Sequence, residues 1–271
     1  MRKKQYEKTS NHNNSILISL SICALAGSQA KAEIIWTFTL NYTVNGGGSP
    51  TPPTFNYYYL GEQMQSPLGT GNNVFIVDDA SAWSLTPNPP GGSTGTGQWI
   101  SNDVLSGTAT ADFTYTFTYY HQYYLTVNSA YGSPTGAGWY NAGDSATFSV
   151  STPATGTTGT QYLLTSWAGS GNGAYSGSNS SSIVTMDNPI TETANWQTQY
   201  LVTFTQTGIN SDAGTNTALT LCGSTYSWNA LPSNVWVNSG TTFSWSSPVT
   251  GSLGEQFVYV SDSGLASTIT G

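Results

Sequence analysis

Beyond residue 32 the chain holds one histidine, one cysteine and twelve carboxylates, with no lysine or arginine. Nucleophilic Ser/His/Asp or Cys/His chemistry needs an imidazole base, and His121 is the only one there. It sits in the run Tyr119-Tyr120-His121-Gln122-Tyr123-Tyr124, where a packed, hydrogen-bonded ring fits better than a general base. One His and one Cys do not assemble a zinc site. Acid hydrolysis needs two carboxylates in one cleft, and the acids here are scattered singly except Asp78-Asp79. That pair reads as a turn before a strand, with the side chains capping backbone N–H groups. With Asp144 and Asn141 or Asn238 at matching places, its oxygens are the one metal reading kept, for Ca²⁺, although no EF-hand or nonapeptide spacing is present. No catalytic residue and no other cofactor is expected.

Aromatic side chains offer a different chemistry. Flat sugar sites present Trp and Tyr on a low-charge sheet, and Tyr57, Tyr58, Tyr59, Trp99 and Trp139 are the candidates for such a platform. Strand alternation turns about half of the large rings inward, so the run Tyr57-Tyr58-Tyr59 leaves at least one ring facing out. Asn41-Tyr42-Thr43 and Asn179-Ser180-Ser181 are N-glycosylation sequons, making Asn41 and Asn179 the candidate glycan acceptors.

The distribution of charge excludes more than any motif supports. All five basic residues, Arg2, Lys3, Lys4, Lys8 and Lys31, lie at the N-terminus. There they precede an apolar stretch, Ile16 to Leu25, and the small-x-small site Ala30-Lys31-Ala32. Residues 1–32 therefore read as a secretory signal. The apolar stretch is about half the roughly 20 residues needed to span a bilayer, so no integral span is expected in the mature form. Removing it leaves 12 acidic groups against no basic ones. Without cations to neutralise phosphate, nucleic acid and anionic lipid are excluded as partners. Lys Schiff bases, Arg clamps and P-loops are excluded with them. Only Cys222 remains, so no disulfide forms within the mature chain. The expected location is extracellular or on the cell surface.

The elements that must position these groups are strands. Trp36-Thr37-Phe38-Thr39-Leu40, residues 113–119 and Val202-Thr203-Phe204-Thr205 alternate with period two, and Gly, Pro, Asn and Ser punctuate the sequence between such runs. The expected fold is all-β, a row of sandwich modules. Three times a Pro is followed eight residues later by Gln and an aromatic: Pro90 to Gln98-Trp99, Pro153 to Gln161-Tyr162, and Pro248 to Gln256-Phe257. Upstream of each lies a matching turn, Val77-Asp78-Asp79-Ala80, Tyr140-Asn141-Ala142-Gly143 and Val237-Asn238-Ser239-Gly240. A second marker, Tyr120-His121-Gln122-Tyr123 and Gln197-Thr198-Gln199-Tyr200, falls between them. These markers predict modules over residues 33–120, 121–197 and 198–271, with almost no linker and a rod-like form.

The segment His121-Gln122-Tyr123-Tyr124-Leu125-Thr126-Val127, the stretch 132–143, Trp167-Ala168-Gly169 and Thr193-Ala194-Asn195-Trp196 together resemble the divergent internalin-B-type repeats of large prokaryotic surface proteins. The flanking segments 44–55 and 231–240 resemble companion β-modules of secreted archaeal multi-repeat proteins. The resemblance implies immunoglobulin-like modules flanking a middle one of sandwich or β-grasp-like type, and a structural, adhesive or envelope role. It brings no catalytic residues.

The third module is expected to lack a closing strand. After Gln98 the first module runs on into the strand beginning at Asp112, whereas no such strand follows Gln256. An open sandwich edge is a seat for a donated strand. Ile34, Ile35, Trp36, Phe38 and Leu40 form the candidate donor, which would join copies head to tail. Competing expectations are that the run from Ile34 to Val44 is simply the first module's own strand, that the sequence is a truncated fragment, that the protein is a polysaccharide-binding module, or that it is an acid-active hydrolase. Self-association is the expected partnership, with polysaccharide or other surface proteins as alternatives.

Overall fold

A computed structural model describes residues 33–86, 92–264 and 266–270. Residues 1–32, read above as a secretory signal, and Pro90 lie outside them. The chain forms two compact units, the first running to Tyr123 and including Asn141–Gly143, the second holding Tyr124–Tyr140 and Asp144–Gly271. The described residues are almost entirely strand and turn, with no α-helix and one short 3-10 turn at Ser211–Ala213. The protein is all-β and of sandwich type.

The first unit holds β1 (Ile35–Asn45), β2 (Thr54–Tyr59), β3 (Glu62–Pro67), β4 (Asn73–Asp78), β5 (Ala82–Thr86), β6 (Gly97–Ile100), β7 (Ser106–Thr108) and the first part of β8 (Phe113–Asn128). Its sheets are β4-β1-β8, with β6 on β8, and β3-β2-β5-β7. Alternation in β1 sends Phe38 and Leu40 inward, where they meet Val77 and Phe117 of their own sheet and Phe55, Trp83 and Leu85 of the other. Each such side chain contributes roughly 1.5–3 kcal/mol on burial. β1 is antiparallel to β4 from Ile35↔Asp78 to Leu40↔Asn73, and parallel to β8 from Phe38↔Phe113 to Asn45↔Tyr120. The first strand of this repeat is thus closed by its last. Burial, Asp103 and the Tyr42 phenol push the Tyr119 phenol, on that closing strand, up to about 12.

The second unit contains the rest of β8, β9 (Gly138–Asn141, its last residue in the first unit), β10 (Ser145–Ser149), β11 (Ala154–Thr155), β12 (Thr160–Ser170), β13 (Ser181–Thr185) and β14 (Ile190–Val202). It continues with β15 (Thr217–Leu221), β16 (Ser224–Ser227), β17 (Val235–Asn238), β18 (Phe243–Trp245), β19 (Val249–Thr250) and β20 (Gln256–Phe257). Here β8 is again closed by a parallel strand, Leu125↔Ile190 to Asn128↔Thr193 of β14. Glu192, on the inward side of β14 with Ile190 and Ala194, is fully buried. Its Oε1 accepts the Tyr175 N–H at 2.7 Å, and burial holds its pKa above the usual carboxylate range. The C-terminal part of this unit has its own core of Val202, Phe204, Leu219, Leu221, Val237, Phe243 and Ile269.

The module boundaries expected at 120/121 and 197/198 both fall inside continuous strands, β8 and β14. Each of these strands ends one repeat and begins the next, so no linker stands at either place.

Candidate strand-accepting groove

The three sequence markers converge on one recurring hydrogen-bonded junction. In the first unit Gly97–Ile100 pairs antiparallel with Tyr120–Tyr123, placing Gln98 opposite Gln122 and Trp99 opposite His121. In the second unit Thr160–Leu163 pairs with Gln197–Tyr200 in the same register, Gln161 opposite Gln199. An amide ladder crosses each junction. Gln98 Nε2 donates to Gln122 Oε1 at 2.9 Å and Gln122 Nε2 to Asn141 Oδ1 at 3.0 Å. Likewise Gln161 donates to Gln199 and Gln199 to Asn238, both at 2.8 Å. The turn beside each opening strand repeats too. Ile34 O accepts from Asp79 N, His121 O from Ala142 N and Thr198 O from Ser239 N, at 2.8–2.9 Å. The next residue, Ala80, Gly143 or Gly240, has φ of +55° to +88° each time.

Aligned on this pattern, Val202, Thr203 and Phe204 occupy in the third repeat the places of Phe38, Thr39 and Leu40 in the first. Their side chains alternate as in a strand, with Phe204 buried between exposed Thr203 and Thr205. One flank is satisfied, since Phe204 N donates to Pro232 O at 2.9 Å and Val202 pairs with Val235. On the other flank, where the first repeat has β8 and the second has β14, no strand pairs with Thr203–Thr207 among the described residues. A groove of about 620 Å³ occupies that place. Thr203–Thr207 form one wall and Phe257–Gly264 the other, with Phe243, Trp245 and Val249 also in its lining. Val258 is 58% and Val260 90% exposed on the second wall. A stretch of backbone at 203–207 with no strand on one flank, facing exposed Val258 and Val260, fits an extended chain.

The remaining candidates fall elsewhere. Ile35, Trp36, Phe38 and Leu40 stand in β1 of the first unit, with Ile34 just before it. Phe38 and Leu40 are 1% and 0% exposed, packed between two neighbouring strands. Donating the whole run 34–40 would empty that core, so the structure narrows the available edge to the residues before Phe38. The five candidate sugar platforms do not form one surface. Tyr57 stacks on Phe55 and Phe75 at the edge of the core, Trp99 lies on His121, and Trp139 meets Tyr124 edge-on, while Tyr58 is exposed. Asn41 lies in mid-strand, bonded through Oδ1 to the Tyr42 N–H. Asn179 is on an exposed loop before β13.

Of the carboxylates, Asp78 accepts Leu60 N and Gly61 N at 2.8 Å each, capping the β2–β3 turn, and Asp79 accepts the Trp36 indole N–H at 2.8 Å. Among the described residues no group of three His, Cys, Asp or Glu is placed to hold a metal ion. The groove itself is lined by a single acid, Asp262. His121 is 9% exposed, its ring stacked on Trp99 at 4.3 Å with Nδ1 3.3 Å from Gly46 O. Sequence reading missed the parallel closure of the first two repeats and the buried Glu192. The inward alternation of Ile190, Glu192 and Ala194 was the available signal for the latter. No protein-family model matches the chain, and a comparison with curated proteins gives no match.

Proposed function

We propose that this protein is an exported, non-catalytic structural component of the cell exterior that assembles by accepting a β-strand in its third repeat. The observation that carries this reading is the groove between Thr203–Thr207 and Phe257–Gly264, in the place where the other two repeats hold a parallel strand. The signal-like leader and the cation-free remainder support export and argue against nucleic-acid or phosphate chemistry. A single groove carboxylate gives little support to an acid hydrolase, which needs a pair. Dispersal of the candidate aromatics likewise favours assembly over sugar binding.

The strands that fill the equivalent seats define the ligand. Phe113–Tyr123 and Ile190–Tyr200 both begin with an apolar residue followed by Thr and both end in Gln-Tyr. A synthetic peptide of residues 113–123 is therefore expected to bind saturably and to slow amide hydrogen exchange at 203–207 and 257–261, while a peptide of the same composition with the alternation scrambled does neither. Equal behaviour of the two peptides, or exchange unchanged at both walls, would overturn the reading.

A further inference from the structure

Resting on the strand-accepting reading above, we infer that a second copy of this chain docks beside the groove, by the junction the chain already makes twice within itself, with Gln256 of one copy opposite Ile35 of the next. In each internal junction the hairpin edge of one repeat takes the strand that opens the following repeat, Gly97–Ile100 with Tyr120–Tyr123 and Thr160–Leu163 with Gln197–Tyr200. Two further half-junctions stand in the same fold, one of each kind.

The first is the edge Glu33–Trp36. The shared turn bonds match Ile34 to His121 and Thr198, so Ile35 stands where Gln122 and Gln199 do. One flank of this edge pairs with β4, through Ile35↔Asp78. On the opposite flank β8 begins only at Phe38, and no strand lies beside residues 33–36 among the described residues. The second is the edge Glu255–Val258. The hairpin β19–β20 pairs Val249↔Phe257 as β11–β12 pairs Ala154↔Tyr162. The outer flank of β12 carries β14, whereas no strand pairs with the outer flank of β20 among the described residues.

Exposure follows the same division. His121 is 9% exposed beneath Trp99, while Ile34, at the matching place, is 57% exposed. Val258, matching Ile100 and Leu163, is 58% exposed. The internal register predicts Glu255↔Trp36, Gln256↔Ile35, Phe257↔Ile34 and Val258↔Glu33 between copies. Phe257 then covers Ile34 as Trp99 covers His121, an apolar contact in place of the stacked one. The two glutamates fall at opposite corners rather than facing each other, which avoids like-charge pairing across the strands. Because the two edges differ, the contact is heterologous and joins copies head to tail, into a ring where the rotation between copies closes and an open polymer where it does not.

Cysteine pairs test the register. Directly opposed residues of antiparallel strands lie about 4.5–5.5 Å apart at Cα, within the range a disulfide spans. In the full chain carrying Cys23→Ser and Cys222→Ser, recovered from a secreting host, Gln256→Cys and Ile35→Cys variants are each expected to stay uncrosslinked alone and to give a covalent dimer when mixed under mild oxidation. The double variant is expected to give a ladder of multimers, and a Gln256→Cys/Asn41→Cys pair none. Absence of the mixed dimer, or equal ladders from both pairs, would overturn the inference. If the 113–123 peptide still protects the groove walls in that case, the groove accepts a strand without a copy docking beside it; if it does not, the strand-accepting reading falls as well.

Discussion

The first and third repeats start from similar alternating strands, β1 and the stretch 199–207, and each lays one flank against an antiparallel neighbour through matching registers. They differ on the other flank. β8 lies along β1 and brings Phe117 and Tyr119 to full burial, with Phe113 packed at the core's edge. Beside 203–207 there is a groove, and Val258, Tyr259 and Val260 opposite remain 42–90% exposed. Closure by the last strand, more than the opening strand itself, therefore separates the first repeat from the third. The alternation Thr203-Phe204-Thr205 persists with no strand paired on that flank among the described residues.

The comparison breaks most directly at Phe117. Truncating this fully buried ring to Ala is expected to cost the first unit about 3–5 kcal/mol, read by urea unfolding. A loss no larger than that from Val260→Ala would mean that closure adds nothing. Next in size is a pair of glycines with left-handed backbones, Gly48 at φ +82° and Gly208 at φ +103°. Gly208→Ala meets no neighbouring atom and should cost about 1–2 kcal/mol for its backbone alone. Gly48→Ala runs into the Trp99 ring at the first junction and should cost roughly 1–3 kcal/mol more.

Glu192 sharpens the comparison through pH. Its folded pKa is raised by burial, so the neutral form is the one the fold favours. The stabilisation is complete below the unfolded carboxylate value and is lost as pH rises through the folded value. The thermal midpoint of the second unit is therefore expected to be higher at pH 4 than at pH 8, and Glu192→Gln should flatten that difference; an unchanged pH profile in the variant would refute the assignment. The smallest effect on folding belongs to Val260→Lys, expected to shift stability by less than about 0.5 kcal/mol because the residue is 90% exposed. The same change should weaken binding of the 113–123 peptide measurably in a titration, since the side chain lines the groove.

Much of this was legible in the residues. Period-two alternation in 36–40, 113–119 and 202–205 fixed the strand class, because side-chain direction in a strand depends only on parity. The Gln-aromatic markers identified positions that become the amide ladders, although nothing in their spacing said that Gln98 meets Gln122. What stayed hidden were partners. Parallel pairing of first and last strands is a long-range choice that leaves no local signature. For the same reason the run 34–40 read as free to leave, when Phe38 and Leu40 are held from both sides. Module limits were drawn at markers that turned out to mark mid-strand handovers.

Because β8 and β14 each serve two repeats, there is no neutral place to cut between them. A gene rearrangement that adds or removes a repeat preserves every backbone ladder only when it splices at like positions inside these strands, Gln122 to Gln199, so that the incoming half-strand inherits the old one's neighbours. Length variation in such a chain is thus expected in whole steps of the 122–199 period, set by hydrogen-bond phase rather than by loop tolerance.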